Sequence, residues 1–545
     1  MIGCISQYHF KKNSLEEISL RAKGKNWPIV YILKNSNMAY VGETTSAVKR
    51  MKDHLDNSKR DIFKTIYLIE DETFNKSATL DIESKLIEYI SADGHYSLQN
   101  NNRGLRNHNY YNKDKYKILF NDIWDELKAL EVVSHTIPEI ENSDLFKFSP
   151  YKTLTEDQFE IVENLDSIFK SKSESTSIIN GEPGSGKTIL AIYLAKYIAS
   201  DEAYNSFKIG VIFPQTSLRK TVRRIFKHIH GLKVNMVMGP YDILKKQEKY
   251  DLLIVDEAHR LTQRRNLANY KTFDDACNKL GIDPQNSSQL DWIINRGKHV
   301  VLLHDPNQSV KPSDADLAVF TNLRESSNLF SLKSQQRVLA GDKYPAYIER
   351  ILKKQQDSYL DFDNYKFCLF DNIDEMVKKI RTLNRQFGLC RIVAGYAWDW
   401  ISKDDPNLYD IEIESTKLRW NATTEDWINT PNSINEIGCI HTVQGYDLNY
   451  CGVIIGPELI FRNGKILFVP ENYKDKYGKH SSQSIEQVQA YIINIYKTLL
   501  TRGIKGTFIY ACDSKLTSYL SHFISKEGSR QMAAEPKIKY GRENK

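Results

Sequence analysis

Gly181-Glu182-Pro183-Gly184-Ser185-Gly186-Lys187-Thr188 follows the apolar run Ser177-Ile178-Ile179 and opens a helical stretch over residues 189–198. Glycines at 181, 184 and 186, with Ser185 between the last two, let backbone N–H groups approach phosphate oxygens without an intervening Cβ. Lys187 supplies charge to the β- and γ-phosphates, and Thr188 stands at the positive end of the helix, where its hydroxyl can ligate Mg²⁺. Strand, glycine-rich loop and helix in that order predict a phosphate-binding site at the edge of a parallel sheet.

Working outward, short apolar runs alternate with helical text. Gly210-Val211-Ile212-Phe213, Leu252-Leu253-Ile254-Val255 and Val300-Val301-Leu302-Leu303 read as strands of the same sheet, buried on both faces. Leu252-Leu253-Ile254-Val255 ends in Asp256-Glu257-Ala258-His259. Given the phosphate loop, Asp256 is expected to hold Mg²⁺ and Glu257 to polarise the attacking water of an ATP-hydrolysing site. A second series, Phe367-Cys368-Leu369-Phe370, Arg391-Ile392-Val393-Ala394, Gly452-Val453-Ile454-Ile455 and Thr507-Phe508-Ile509-Tyr510, predicts a second α/β unit in tandem.

Over about residues 150–525 these motifs resemble the superfamily 1 helicase-type ATPases, in particular the uncharacterised bacterial kind related to the Schlafen ATPase region. Leu154-Thr155-Glu156-Asp157-Gln158 resembles the motif whose glutamine, here Gln158, reads adenine. Phe213-Pro214-Gln215-Thr216-Ser217-Leu218-Arg219 resembles the loop that contacts nucleic acid, and Arg219, Lys220, Arg223 and Arg224 form a basic cluster after it. His304-Asp305-Pro306-Asn307-Gln308 offers Gln308 as γ-phosphate sensor, and Leu332-Lys333-Ser334-Gln335-Gln336-Arg337 offers Arg337. His441-Thr442-Val443-Gln444-Gly445-Tyr446-Asp447 adds Gln444 and Gly445 to the nucleotide-binding set, with Asp447 where the family has Glu, and Arg502 is the arginine-finger candidate. A guanidinium from the second lobe would act only when the cleft closes, coupling hydrolysis to motion. The spacing leaves little room for large inserted subdomains, so the resemblance implies ATP hydrolysis ahead of strand separation.

The N-terminal region has a different texture. Two β-rich runs, 29–33 and 38–43, flank the turn-forming Lys34-Asn35-Ser36-Asn37, and helical text follows at 48–55 and 78–90. Ile29-Val30-Tyr31, Tyr40-Val41-Gly42-Glu43-Thr44, Arg50, His54, Glu83 and Asn100 resemble in order and spacing the GIY-YIG nucleases, with Ile29 at the first glycine position. The resemblance implies that Glu83 is the sole protein ligand of Mg²⁺, or of Mn²⁺. It also implies that Tyr31 or Tyr40 assists proton transfer, that Arg50 binds phosphate with His54 on the same helical face, and that Asn100, with Asn101 and Asn102 as rivals, braces the site. Lys113, Lys115 and Lys117 among Tyr110, Tyr111 and Tyr116 read equally as a phosphate-tracking, base-stacking surface or as a polar helix start.

The fold expected is therefore α/β: a small α+β GIY-YIG-type nuclease domain (1–118), a helical linker (119–149) and two RecA-like parallel-sheet ATPase lobes (150–345 and 346–525), with a flexible basic tail (526–545). The chain has 545 residues, 41% hydrophobic and 26% charged, which excludes disorder throughout. Seven scattered cysteines without a CxxC pair indicate neither a disulfide framework nor a zinc cage. No apolar run is long enough to span a bilayer, and no secretory signal opens the chain, so a cytoplasmic protein with no membrane partner is expected. Most of the formal net charge of +6 lies in residues 1–118, compatible with a nucleic-acid partner, DNA favoured over RNA, and room remains for a homo-oligomer or a defence partner protein. The leading expectation is an ATP-driven motor or sensor that positions or licenses a metal-dependent endonuclease, in a setting of anti-phage or restriction-type defence. The rivals are an ATP switch with a catalytically inactive docking domain and a DNA-repair incision enzyme.

Overall fold

Three sheets and a two-stranded ribbon organise the chain, of which the computed structural model describes residues 5–20, 26–101, 110–245, 247–267, 269–305, 313–314, 317–333, 338–341, 343–443, 445–475 and 484–527. The proposed basic tail lies almost wholly outside them.

The first sheet has the order β1 (Ile5–His9), β4 (Thr65–Ile69), β2 (Ile29–Lys34), β3 (Met38–Thr44), β5 (Ser97–Leu98), antiparallel except at β3–β5. The β2–β3 hairpin closes as the turn residues predict: Asn35 Oδ1 accepts the N–H groups of Asn37 and Met38 at 2.8 and 2.7 Å. Helices α1 (Ser14–Ser19) and α2 (Ala47–Leu55) accompany the face bearing Ile29, Tyr31 and Leu33, whereas Val30 and Ile32 point into the core that holds Ile82, Leu86 and Ile90 of α3 (Lys76–Asp93). Gly42 pairs with Tyr31 across the hairpin, and a Cβ at position 42 would sit inside the Tyr31 ring and hydroxyl. Gly42→Ala is therefore expected to lower stability by about 1–3 kcal/mol, the usual cost of overpacking a filled core, read as a drop in midpoint in thermal or denaturant unfolding.

Between the first and second sheets run α4 (Lys113–Ala129), α5 (Ile137–Asn142) and α6 (Asp144–Lys147). The α4 helix buries Tyr116, Phe120, Ile123, Trp124 and Leu127 on one face. Tyr116 is thus core, and its hydroxyl donates to the Thr73 carbonyl, which removes it from any base-stacking surface; Tyr111 is 86% exposed. Trp124, Ile140, Phe148 and Tyr151 carry one continuous apolar core from Val30 and Ile82 to Leu190 and Val301. The segment that reads as a linker is packed, because its short helices bring apolar side chains at 137, 140, 145 and 146 onto that core.

The second sheet is wholly parallel, in the order β11 (Asn328–Leu332), β6 (Ser175–Gly181), β10 (Gly297–His304), β9 (Tyr250–Val255), β7 (Ile209–Ile212), β8 (Val237–Met238). All four strands expected from apolar runs are in it. The α7 (Glu156–Ser171), α8 (Lys187–Ala199) and α9 (Thr216–His228) helices belong to this lobe, and α8 is apolar nearly all round, as a helix enclosed on every side must be. With β10 between β6 and β9, the loops that leave β6 and β9 face a common crevice at the carboxyl ends of the strands, where open α/β sheets bind ligands.

The third sheet runs β14 (Ile411–Ile413), β15 (Thr416–Trp420), β16 (Glu436–Gly438), β13 (Cys390–Ala394), β17 (Leu448–Ile455), β20 (Gly503–Ala511), β12 (Lys366–Leu369), β21 (Ser525–Lys526), parallel except at β14–β15. A ribbon of β18 (Leu459–Arg462) and β19 (Lys465–Phe468) stands apart. Its core strands are those of the second apolar series, which makes the chain a mixed α/β protein with two RecA-like parallel-sheet lobes. Of the six described cysteines five are buried. Among the described residues no helix is long and apolar enough to cross a membrane.

Candidate nucleotide cleft and nuclease centre

Gly184 and Gly186 have φ of +90° and +81°, a backbone that side chains resist, and this curls the loop after β6 over the first turn of α8. Lys187 lies within that curl, donating to the carbonyls of Gly181 and Glu182 at 2.6 and 3.0 Å, with Asp305 Oδ2 at 3.6 Å. Thr188 Oγ1 donates to Asp256 Oδ2 at 2.7 Å. Sequence reading brought Lys187, Thr188 and Asp256 to one place. It quoted Asp305 within a motif but gave it no role; the residue is fully buried at the end of β10.

Glu257, at φ +50°, turns out of the strand end in left-handed backbone. The Asp305 N–H donates to His259 Nδ1 at 3.3 Å, which leaves the ring proton on Nε2, 2.8 Å from Glu257 Oε2. Burial, then the neighbouring charge of Glu257, pushes the Asp256 carboxyl up. Burial works the same way on Glu257, but His259, then Lys187 and Arg260, hold it well below the usual carboxylate range. Glu257 is thus kept ionised and oriented.

Gly184, Gly186, Lys187, Thr188 and Glu257 line a cavity of about 190 Å³ together with Gly445 and Arg502 from the second lobe and Lys147 from α6. Arg502 is 2% exposed and donates to the Tyr446 carbonyl at 3.2 Å. Gly445, at φ +89°, is packed against Leu218 of α9. Ser185 Oγ and Asp256 Oδ1 are buried without a hydrogen-bond partner among the described residues. Such orphaned atoms beside a left-handed glycine loop and a buried lysine fit a magnesium-bound triphosphate. Gln158 is 1% exposed: its Oε1 accepts the Thr155 N–H and its Nε2 donates to the Ser185 carbonyl at 3.1 Å, so the amide expected to read adenine braces the phosphate loop. Gln308, Arg337 and Gln444 lie outside the described residues.

A second groove, of about 610 Å³, opens where the lobes meet and is lined by Gln215, Arg219, Tyr241, Arg260, Gln289 and His441. Both amide atoms of Gln215, Arg219 Nε, and Nε and Nη2 of Arg260 are buried there without a partner among the described residues. The rest of the basic cluster is engaged elsewhere. Lys220 pairs with Glu425 and Arg224 with Asp144 and Asp426, while Arg223 donates to the Val237 carbonyl. Arg219 faces the groove; Lys220 and Arg224 latch α9 to neighbouring segments.

In the first sheet, the hairpin register sets Tyr31 and Tyr40 diagonally on one face, ring centroids 6.3 Å apart. Arg50 Nε donates to Tyr31 Oη at 3.0 Å, and the Tyr31 hydroxyl lies 2.8 Å from His54 Nε2. Burial, then Arg50 and Arg60, pulls His54 down to about 4, so the ring is neutral and can accept a hydrogen bond from the tyrosine hydroxyl. Burial raises the Tyr31 hydroxyl well above its ordinary value. Burial and Glu43 push Glu83 up to about 7, although the Glu43 N–H donates to it. Glu43 itself pairs with Lys76, and its Oε2 is buried without a partner among the described residues. Asn100 clamps β3, accepting the Val41 N–H at 3.0 Å and donating to the Val41 carbonyl at 2.8 Å. The structure thus gathers Tyr31, Tyr40, Arg50 and His54 and sets Glu83 within their field. Lys76 and Arg60, whose guanidinium lies 3.8 Å over the Tyr40 ring, escaped the sequence pattern, and Glu43 stood in it without a role, because their pairing is decided by the fold of α2 and α3.

Residues 174–513 match the family described as Schlafen group 3, DNA/RNA helicase domain. The chain is 27% identical over 398 residues to an uncharacterized protein of Saccharomyces cerevisiae, an alignment that covers 64% of this chain and 84% of that protein. Among solved structures it resembles a Pif1 helicase from a study of forked double-stranded DNA unwinding (12% identity, TM-score 0.27, covering 66% of this chain and 92% of the other). It also resembles the DnaC helicase loader (14%, 0.20, 34% and 96%). Both likenesses are too faint to carry an argument.

Proposed function

The chain belongs to the Schlafen group 3 DNA/RNA helicase domain family, a helicase-like nucleic-acid-binding P-loop ATPase, and from that premise we propose that its ATP cycle positions or licenses a metal-dependent GIY-YIG-type endonuclease at its N-terminus. The observation that carries the nuclease half is the Arg50–Tyr31–His54 relay with Glu83 alongside. Arg50 donates to the Tyr31 oxygen and neutral His54 accepts the hydroxyl hydrogen bond, so the Tyr31 hydroxyl is fixed in direction beside the arginine that would meet a scissile phosphate. Glu83, with Glu43 nearby, would hold the cation that neutralises the scissile phosphate.

In the cleft, the residue roles are Lys187 on the β- and γ-phosphates, Thr188 and Asp256 toward Mg²⁺, Glu257 orienting water, and Arg502 on the transition-state charge. Mg²⁺ held by Thr188 and Asp256 would neutralise the phosphates. The continuous apolar core joins the nuclease module rigidly to the first lobe, which supports licensing through lobe closure over a free tether.

We assign the nucleic-acid strand to the groove lined by Arg219 and Arg260; their side-chain donors without a partner among the described residues, which suit phosphate oxygens and base edges, support it. DNA is favoured over RNA, and defence against invading nucleic acid is the setting proposed. The decisive experiment measures ATP turnover and strand cleavage by the full chain against single- and double-stranded DNA and RNA, with and without Mg²⁺. Stimulated turnover with metal-dependent cleavage is expected; stimulation without cleavage by any polymer removes the nuclease. Arg219→Ala is expected to raise the nucleic-acid concentration for half-maximal stimulation about tenfold, with basal turnover unchanged.

Complete burial of Tyr31 favours a second reading, an inert docking module on the same ATPase. The cleavage assay separates the two.

A further inference from the structure

The α5–α6 segment touches three parts of the molecule at once. Against the nuclease module, the Tyr89 hydroxyl donates to Glu141 at 2.9 Å, the Tyr89 ring packs on Phe146 (centroids 4.8 Å), and Gly94 at the end of α3 abuts Leu145. Against the first lobe, Asp144 pairs with Arg224 at 2.8 Å. Against the second lobe, Asp144 accepts from Asn429 at 3.0 Å, and Asn142 donates to the Phe387 carbonyl at 2.8 Å and accepts from Asn449 at 2.7 Å. At the C-terminal end of α6, Lys147 reaches the nucleotide cavity, which it lines with Lys187, Thr188, Glu257 and Arg502.

We propose that Lys147 is a nucleotide-binding residue: a cation delivered from the segment ahead of the first lobe that contacts the phosphates of bound ATP, so that the N-terminal module is anchored on the nucleotide itself. The inference rests on the ATPase site described above and adds a ligand to it from outside both lobes.

The chemistry argues for an anionic partner. The ammonium donates to the Asp447 carbonyl at 2.9 Å, and this is a neutral acceptor. Burial pulls the group down to about 8, although Asp447 and Asp144 work against the shift. A buried lysine is costly to keep charged, and an entering polyphosphate lowers that cost. An ammonium also has three donors, so the Asp447 carbonyl does not exhaust it. Because α6 is latched to Arg224 on one lobe and Asn429 on the other, a phosphate contact at Lys147 would register both nucleotide occupancy and lobe closure. Packing on α3, the helix of Glu83, passes that state to the N-terminal site.

The test is a titration of the full-length chain with a fluorescent, non-hydrolysable ATP analogue and Mg²⁺, comparing wild type, Lys147→Gln, Lys147→Arg and Lys187→Ala, with steady-state ATP turnover alongside. Lys147→Gln, which keeps a donor for Asp447 but removes the charge, is expected to weaken analogue binding about tenfold and to raise KM more than it lowers kcat. Lys147→Arg is expected to restore affinity to within about threefold, a rescue that a purely structural role would not give. Amide-exchange protection of residues 137–147 on adding the analogue is expected in wild type and lost in Lys147→Gln. If Lys147→Gln is unfolded by circular dichroism, Lys147→Met carries the same expectation. Wild-type or tighter binding by the charge-removed variant, while Lys187→Ala has lost it, overturns the proposal and leaves the ATPase site standing. Wild-type affinity in both variants overturns the two together.

Discussion

Lys187→Ala is expected to reduce ATP turnover at least about a hundredfold, with the fold intact by circular dichroism. Removing a preorganised donor from a site that stabilises developing charge typically costs that much, and here the lysine is itself buried. Lys187 is held by two loop carbonyls and by Asp305, so its ammonium is positioned before any ligand arrives. Alanine removes the cation and leaves Asp256, Glu257 and Asp305 facing the phosphates with their mutual repulsion unrelieved. Steady-state phosphate release and titration with a non-hydrolysable analogue measure the two consequences, lost turnover and lost binding. Turnover within threefold of wild type would mean that the loop after β6 does not hold the reacting phosphates.

Glu83→Gln is expected to abolish metal-dependent strand cleavage, by a factor of about a thousand or more, while ATP turnover stays within twofold of wild type. The substitution preserves size and hydrogen bonding to the Glu43 N–H but removes the negative charge that would hold the cation. Glu83 does not line the nucleotide cavity, and glutamine keeps the side-chain volume on α3, so ATP turnover is expected to survive the change. A nicking assay on supercoiled plasmid and a labelled RNA, run beside phosphate release from the same preparation, reads both. Equal cleavage by wild type and Glu83→Gln would assign any observed nuclease to another site or to a contaminant, and the N-terminal module would then be a docking part.

Local chemistry made much of the fold readable. Each of the eight strands expected in the two lobes is present, because parallel strands buried on both faces must be continuous apolar runs, and that signature survives without tertiary information. The hairpin at 29–44 was equally visible through its Asn-rich turn. Other features needed the fold. Tyr116 lay in a Lys/Tyr alternation that suits a nucleic-acid surface or a helix start, and only the docking of α4 on α3 decides that it is core. Lys220 and Arg224 look like phosphate-seeking cations until Glu425, Asp426 and Asp144 are brought to them from 80 or more residues away in the chain. Gln158 carries the right letter at the right distance from the loop, yet its capping geometry turns the amide onto Ser185.

The sequence by itself determined the chemistry of the phosphate loop, the Asp256-Glu257 strand end and the two-lobe α/β architecture, since each depends on residues close along the chain whose backbone preferences and burial are set locally. Only the tertiary structure decided that His259 orients Glu257 with the help of Asp305, that Arg502 and Lys147 enter the same cavity, and that the first sheet shares a core with the first lobe. Those relations join segments separated by tens to hundreds of residues, and no spacing rule fixes the distance between groups that meet only when helices and sheets pack.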